Sequence, residues 1–133
     1  MVRWISGNRS DDGGGIFDGG GGVVVHNTIV AGNKATSSST DTNCDISQNG
    51  ALPLTDAGNN LDSGHTCSLA GPGDKSGVNP KLSSLANHGG PTKTLALLTG
   101  SPAINAGHSP APTVDQRGVK RDSRPDMGAF ERK

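Results

Sequence analysis

The sequence predicts an all-β protein, a parallel β-helix (solenoid) of about three coils that ends in a C-terminal cap. Three observations predict this fold class. Only 30% of the 133 residues are hydrophobic and 2% are aromatic, which is little material for a conventional core. Short β-branched runs alternate with clusters of glycine and asparagine. A glycine–asparagine motif recurs within one solenoid period, since ISGN ends at Asn8 and VAGN ends at Asn33.

The predicted coils consist of short strands joined by tight corners. The runs GGGIF and VVVHNTIV lie between the two copies of the motif and have the composition of strands bounded by turns. Glycine and asparagine are the residues that best tolerate the positive φ angles of such corners. We therefore expect Asn8 and Asn33 to stack at one corner through their amides. The alternative is an ordinary turn dipeptide that occurs twice.

The two cysteines have a spacing close to one coil. Cys44 and Cys67 would lie one above the other in neighbouring coils, at a strand spacing of about 4.8 Å. That distance falls within the Cα separation that a disulfide accepts. We expect a disulfide, which is typical of secreted or surface proteins. Two unpaired buried thiols are the alternative, and two cysteines alone are too few for a zinc site.

The chain divides in character near residue 77. Residues 1–76 are predicted to form the β-helix coils. Residues 77–133 contain leucine, proline and, towards the end, charged turn-rich sequence without a visible repeat. An open solenoid end exposes unpaired strand edges, so a terminal segment has to cover it. We expect residues 77–133 to form the last coil and the cap of a single domain.

Several motifs together resemble a known group of proteins. GGGIF, NTIVAGN, NCD, GNNL, PKLSSLANHGGPTKTLALLTGSPAINAG, DQRG and MGAFE resemble the C-terminal end of bacterial right-handed parallel β-helix repeat proteins, the surface and secreted kind labelled choice-of-anchor or polymorphic outer-membrane-like. The resemblance implies a right-handed β-helix in an extracellular or cell-surface setting. It implies no particular reaction, because such proteins include adhesins, passenger domains and polysaccharide-acting enzymes.

Charge and hydropathy narrow the set of partners. Twelve basic residues balance twelve acidic ones, which gives no electrostatic argument for nucleic acid. No apolar run is long enough to predict a membrane span. Met1 falls almost directly on a coil, whereas relatives in this group carry many coils before this ending. We expect either a truncated piece or self-association through the uncapped N-terminal coil.

Aspartates supply the candidate catalytic residues. Polysaccharide hydrolysis uses two carboxylates a few ångströms apart, and successive coils would bring together residues about one period apart. Asp18 with Asp45, and Asp41 with Asp62, have such spacings, although turn or capping roles are the competing interpretation. No metal centre or cofactor is predicted. The acidic stretch DDGGGIFD suggests calcium as an alternative, but it lacks the glycine pattern of calcium-binding repeats.

The predicted function follows from the fold and the location. We expect an extracellular or cell-surface module with a structural or carbohydrate-binding, adhesive role, whose partner is a polysaccharide or cell-surface glycan. The alternative is a small polysaccharide-acting enzyme, a glycoside hydrolase or lyase, that uses aspartates on stacked coils. Sugar sites generally stack rings on aromatic side chains, and Trp4, Phe17 and Phe130 are the whole aromatic complement.

Overall fold

A computed structural model of the chain describes residues 3–18, 22–36, 42–46 and 54–133. These residues contain ten short β-strands and no helix, so the all-β prediction is confirmed for them. No helix that could cross a membrane is therefore found in the described ranges. The strands are β1 (Trp4–Ser6), β2 (Arg9–Ser10), β3 (Ile16–Phe17), β4 (Val24–Val25), β5 (Ile29–Ala31), β6 (Lys34–Ala35), β7 (Cys44–Asp45), β8 (Thr55–Asp56), β9 (Leu61–Asp62) and β10 (Lys75–Ser76).

All of the pairings between these strands are parallel. The largest sheet has the order β1-β5-β9-β10, and three two-stranded sheets pair β2 with β6, β3 with β7 and β4 with β8. The chain therefore visits four rows in the order β1 to β4 and then visits the same rows in the same order as β5 to β8. Each strand of the second round lies beside its counterpart of the first, which is the parallel arrangement that the repeat indicated.

The sequence interval between paired strands is not constant. Trp4 pairs with Ile29, an interval of 25 residues that also separates the hydrogen-bonded Asn8 and Asn33. The next step, from Ile29 to Leu61, spans 32 residues, and the last, from Leu61 to Lys75, spans 14. We expected coils of roughly 22 to 27 residues, and the second and third intervals lie outside that range. Corner segments of different length join strands that are themselves only two or three residues long.

The central strands of the main sheet, β5 and β9, are buried on both faces. Successive side chains of a strand point to opposite faces, and β5 buries all three of its residues. Val30 belongs to the inner cluster, which also contains Ile16, Val25, Cys44, Leu54 and Cys67. Ile29 and Ala31 belong to an outer cluster with Leu61, Leu97, Ala103 and Met127. A strand that is covered on both faces has apolar residues at successive positions instead of alternating apolar and polar ones, and β5, with the sequence IVA, is such a strand.

The C-terminal segment supplies the cover for the outer face. Its residues Leu97, Ala103 and Met127 pack on the sheet, and Trp4 and Leu82 border the same cluster. The segment contains isolated antiparallel bridges, such as that between Leu82 and Leu97, rather than regular strands. The described apolar contacts of this segment lie on the outer face of the main sheet. That residues 77–133 form the last coil and the cap stays a prediction.

Asparagine amides attach the same segment to the corners of the sheet. The Asn27 side chain donates to the carbonyl of His108 at 2.6 Å and accepts from the amide of His108 at 2.8 Å. At the equivalent position of the second round of strands, between β8 and β9, Asn59 donates to the carbonyl of Ala106 at 3.0 Å. Both asparagines have positive φ, 49° and 55°, a conformation that asparagine tolerates better than most residues. The attachment is therefore polar at the corners and apolar along the strands.

The expected disulfide is confirmed. Cys44 and Cys67 are bonded, with their Cα atoms 4.9 Å apart, and both residues lie in the inner cluster. Cys44, on β7, also pairs in register with Ile16 of β3, in the first round of strands. The bond therefore ties the segment that follows β9 to a strand of the preceding turn.

Replacing Cys44 and Cys67 together by alanine is expected to lower the free energy of unfolding by about 3 kcal/mol, because the bond closes a loop of roughly 23 residues in the unfolded chain. Urea unfolding monitored by circular dichroism measures the change. Wild-type protein in a strong thiol reductant serves as the control and should shift in the same direction. Equal unfolding midpoints for oxidised, reduced and substituted protein would contradict a stabilising role.

Candidate functional site

Two of the sequence-predicted aspartates are buried acceptors of backbone hydrogen bonds. Asp18 is 2% exposed, and its carboxylate accepts from the amides of Gly22 at 3.3 Å and Val23 at 3.1 Å. Asp62 is fully buried, and its carboxylate accepts from the amides of Gly64 at 2.9 Å and Cys67 at 3.0 Å. In these positions both carboxylates hold turns in place and neither meets solvent.

Of the other two candidates, the structure describes only Asp45. Asp45 is half-buried and lies beside Phe17 in the register of β3 and β7. Because side chains alternate between faces, Asp45 shares a face with Phe17, and Asp18 lies on the opposite one. Asp41 lies outside the described residues. The structure therefore does not bring Asp18 and Asp45 together on one face.

A ladder of amide side chains occupies one corner of the turns. Asn8 donates from its backbone and side-chain nitrogens to Oδ1 of Asn33, at 3.0 and 2.9 Å. Asn33 in turn donates from the same two nitrogens to Oδ1 of Asn43, at 3.0 and 2.9 Å. Nδ2 of Asn43 donates to Asp62 at 2.5 Å. The sequence repeat locates Asn8 and Asn33 but misses Asn43, which lies on the same stack only ten residues after Asn33.

A carboxyl pair that the sequence did not reveal lies at the turn after β8. The backbone amide of Gly71 donates to Oδ2 of Asp56 at 2.6 Å and to Oδ2 of Asp74 at 2.7 Å. Asp56 also accepts from the amides of Gly58 and Ala70, both at 2.9 Å. A side chain at position 71 would meet the Asp56 carboxylate within 3 Å, so only glycine fits between the two acids.

The two carboxyl groups have opposite pKa shifts. Burial raises the pKa of Asp74, and the hydrogen bond with Asp56 adds to this effect, so that the pKa reaches about 6. Burial also acts to raise the pKa of Asp56, but hydrogen bonds from Asp74 and from the amides of the turn outweigh it and lower the pKa to about 2. The pair therefore shares one proton over a broad pH range, which is the behaviour of two carboxyls at close range.

The C-terminal segment contains a second group of charges, which form internal ion pairs. Arg117 contacts Asp115 at 2.7 Å, and Arg121 contacts Glu131 at 2.9 Å. Hydrogen bonds from Arg117 and from the amide of Glu131 outweigh burial and lower the pKa of Asp115. The Arg117 guanidinium also lies 3.6 Å from the centre of the Phe130 ring, in a cation–π arrangement. These contacts order a segment that has little regular secondary structure.

A cleft separates this charged group from the first strand of the main sheet. It has a volume of about 380 Å³, within the range of small-molecule sites. Its walls are formed by Arg3, Trp4, Pro112, Val114, Asp115, Gln116, Arg121 and Ala129. Trp4 stacks on Phe130 with ring centres 6.3 Å apart. We refer to this feature as the Trp4 cleft.

Two residues of the Trp4 cleft carry buried nitrogen donors that have no partner in the described structure. These donors are Nε1 of Trp4 and Nε of Arg121. The other nitrogens of Arg121 are engaged, since Nη1 donates to Glu131 and Nη2 donates to the carbonyl of Gly128. Both nitrogens are closed off from solvent, and the edge of the Trp4 ring that carries Nε1 lies against the backbone of Gly128.

No grouping of three histidine, cysteine or acidic side chains that could hold a metal occurs in the described ranges.

Ser101 and His108 lie close together in the sequence, but their contacts differ. Ser101 is buried, and its hydroxyl donates to the carbonyl of Pro80 at 2.6 Å. His108 is held at the corner by Asn27. These contacts do not form a nucleophile–base pair.

Comparisons with known proteins find no match. No family model matches the chain, and no curated protein and no solved structure matches it.

Replacing Asp74 by asparagine is expected to make the free energy of unfolding less dependent on pH between 4 and 8, because the variant has no carboxyl to ionise at this position, although its Nδ2 cannot accept from the amide of Gly71 as Oδ2 does. Since the folded-state pKa of Asp74 is raised to about 6, its favourable contribution is complete below its unfolded pKa and is lost as the pH rises through 6. Asparagine keeps the uncharged form at every pH. Urea unfolding between pH 4 and 8 measures the difference between variant and wild type.

The exposed Asp122, replaced by asparagine, provides the matched control for a general loss of negative charge. The pH dependence of the difference from wild type is expected to be larger for Asp74→Asn than for Asp122→Asn. A constant difference for Asp74→Asn across the same range would show that the carboxyl pair does not share a proton.

Proposed function

We propose that this chain is part of a right-handed parallel β-helix of an extracellular or cell-surface protein, with a structural or carbohydrate-binding, adhesive role. The observation that carries the proposal is the strand order, in which β1 to β4 and β5 to β8 occupy the same four rows with parallel pairing. A chain that coils about one axis produces this order. The amide ladder and the corner glycines fit the same architecture.

The disulfide supports the proposed location. Disulfides form and persist in secreted and surface proteins and are rare in reducing compartments. The Cys44–Cys67 bond lies in the inner cluster, where both residues are 5% exposed or less. An extracellular setting would keep such a bond intact without further protection.

The positions of the acidic residues favour binding or structure over catalysis. Asp18 and Asp62 are two of the four candidate catalytic residues. Both are buried, and their carboxylates accept hydrogen bonds from backbone amides. A residue that protonates a glycosidic oxygen has to reach the substrate, and neither of them can do so without unfolding its turn. The Trp4 cleft, in contrast, is a surface depression lined by an aromatic ring, apolar residues and polar side chains.

One observation favours the alternative of a polysaccharide-acting enzyme. Asp56 and Asp74 form a hydrogen-bonded carboxyl pair with pKa values of about 2 and about 6, so one of them holds a proton at weakly acidic pH. The two carboxyls of a glycosidase lie at least about 5 Å apart, so this pair would have to separate to act on a glycosidic bond. The hydrogen bonds from the surrounding turn explain the split equally well. The pair is therefore the first target if turnover is observed.

Incubation with a panel of plant, algal and bacterial polysaccharides tests the two functions together. We expect retention of the protein on at least one polysaccharide, with no new reducing ends or unsaturated products relative to a boiled control, with or without chelator. Product release that Asp56→Asn and Asp74→Asn both abolish would establish the enzyme. Absence of both binding and turnover would contradict the carbohydrate role.

The first-turn strands offer a surface for self-association. Within the described residues, β1 to β4 are each paired on one side only. A cavity of about 230 Å³ opens there, lined mainly by Ile5, Ile16 and Val23 to Val25. We propose that a second copy of the chain covers this edge, because an unpaired edge over an apolar cavity is complementary to the same edge of another molecule.

Val24 is 61% exposed at that edge, and its replacement by lysine is expected to shift the protein from dimer towards monomer. Sedimentation velocity over a hundred-fold range of concentration measures the change. Leu85, also 61% exposed but in the C-terminal segment, gives the matched control Leu85→Lys, which should leave association unchanged. Wild-type protein that remains monomeric throughout would disprove self-association.

A further inference from the structure

The two parts of the chain differ in the sign of their charge. Residues 1–76 contain eight acidic and four basic residues, whereas residues 77–133 contain four acidic and eight basic residues. The balanced charge of the whole chain therefore combines a negative part with a positive one. A charged partner meets the local potential of a surface rather than the net charge of the molecule.

Burial increases this contrast at the surface of the C-terminal segment. Three of its four acidic residues, Asp115, Asp126 and Glu131, are buried, and Asp122 is exposed. Six of its eight basic residues are exposed, namely Lys81, Lys93, Lys120, Arg124, Arg132 and Lys133. The outer surface of this segment is therefore basic.

Two of the exposed charges flank one turn. A Cβ atom on Gly100 would lie 3.2 Å from Nζ of Lys81, and Nη2 of Arg132 donates to Oγ1 of Thr99 at 3.1 Å. Thr99 and Gly100 are consecutive residues, so the ammonium and guanidinium groups lie beside the same turn. Leu98 comes directly before it and is 47% exposed. We refer to Lys81, Leu98, Thr99 and Arg132 as the basic patch.

Both charges of the basic patch are available to an anion. Among the described residues, no ion pair involves Lys81 or Arg132. The carboxylate of Asp126 accepts from the backbone amide of Arg132, not from its guanidinium, and Asp126 is 1% exposed. The bond to Thr99 uses one of the five N–H donors of a guanidinium, which leaves donors for a carboxylate.

Backbone contacts hold the basic patch in place. The amide of Lys81 donates to Oδ1 of Asn79 at 2.8 Å, and its carbonyl accepts from the amide of Leu98 at 2.9 Å. A cavity of about 350 Å³ adjoins Arg132, and Leu97 and Val119 contribute apolar surface to it. A ligand at this place meets positive charge beside apolar surface.

We propose that the basic patch binds an acidic polysaccharide. The proposal rests on the carbohydrate-binding role proposed above and names its site and ligand class. Carboxylates of the polymer lie against the Lys81 ammonium and the Arg132 guanidinium, whose planar fork fits a carboxylate. The apolar face of a sugar ring packs on Leu98.

Polygalacturonate and its fully methyl-esterified form test the charge, because the two polymers share a backbone and differ in whether the carboxyl groups are ionised. The whole protein is expected to bind immobilised polygalacturonate in biolayer interferometry and to bind the methyl ester about ten-fold more weakly. Half-molar sodium chloride should weaken the binding of polygalacturonate, because it reduces the screening length to a few ångströms.

Substitutions locate the binding. The double variant Lys81→Gln with Arg132→Gln is expected to bind polygalacturonate about ten-fold more weakly, and Lys81→Gln alone about three-fold more weakly. The matched control is Arg9→Gln with Lys34→Gln, which removes one exposed arginine and one exposed lysine that pair in register on β2 and β6. The control should bind like wild type. Urea unfolding curves establish that each variant keeps the fold.

The outcomes separate this proposal from the broader one. Polysaccharide binding that survives both Lys81→Gln and the double variant would overturn the basic patch and leave the carbohydrate role standing. Equal affinity for polygalacturonate and its methyl ester would overturn the acidic ligand. Double-stranded DNA that binds the patch as tightly as polygalacturonate would overturn the polysaccharide as its ligand. Failure to bind any acidic or neutral polysaccharide would overturn both proposals.

Discussion

The hydrogen bonds of the Asn33 amide fix how one turn of the chain lies on the next. Its oxygen accepts from Asn8 of the first turn, and its nitrogen donates to Asn43 and to the carbonyl of Ile5 at 2.8 Å. Asn33 is fully buried, so any slip of register would leave these groups without partners. Strands of two or three residues have too few ladder hydrogen bonds to specify a register alone. The amide ladder supplies that specification, and the parallel rows on both sides of the corner depend on it.

The main sheet contributes apolar side chains from both of its faces, which gives a protein with few apolar residues two buried clusters. Val30 packs into the inner cluster while its neighbours Ile29 and Ala31 pack into the outer one. The outer cluster is completed by Leu97 and Met127, which come from the C-terminal segment. That segment is therefore part of the core rather than an appendage. Its irregular backbone is held by side-chain hydrogen bonds, such as those of Asn27, instead of a strand ladder.

Sequence reasoning found the features that depend on local composition and missed those that depend on loop paths. The β-branched runs and the glycine–asparagine repeat predicted parallel strands, the cysteine spacing predicted the disulfide, and the structure confirms both. The interval between paired strands grows from 25 to 32 residues because three of the connecting segments are longer in the second round than in the first, and the composition does not set their length. Asp56 and Asp74 meet only because the turn at Gly71 folds back between them. The spacing of carboxylates along the chain does not predict such a contact. For the same reason it could not show that Asp18 and Asp45 lie apart.

The origin of the walls links the Trp4 cleft to the fold as a whole. Trp4 belongs to the first strand, whereas Arg121 is positioned by Glu131 and by the carbonyl of Gly128 within the C-terminal segment. The cleft therefore exists only while that segment is docked on the main sheet. The same docking buries Ile29 and Leu61, so the shape of the cleft and the integrity of the outer cluster depend on the same contacts.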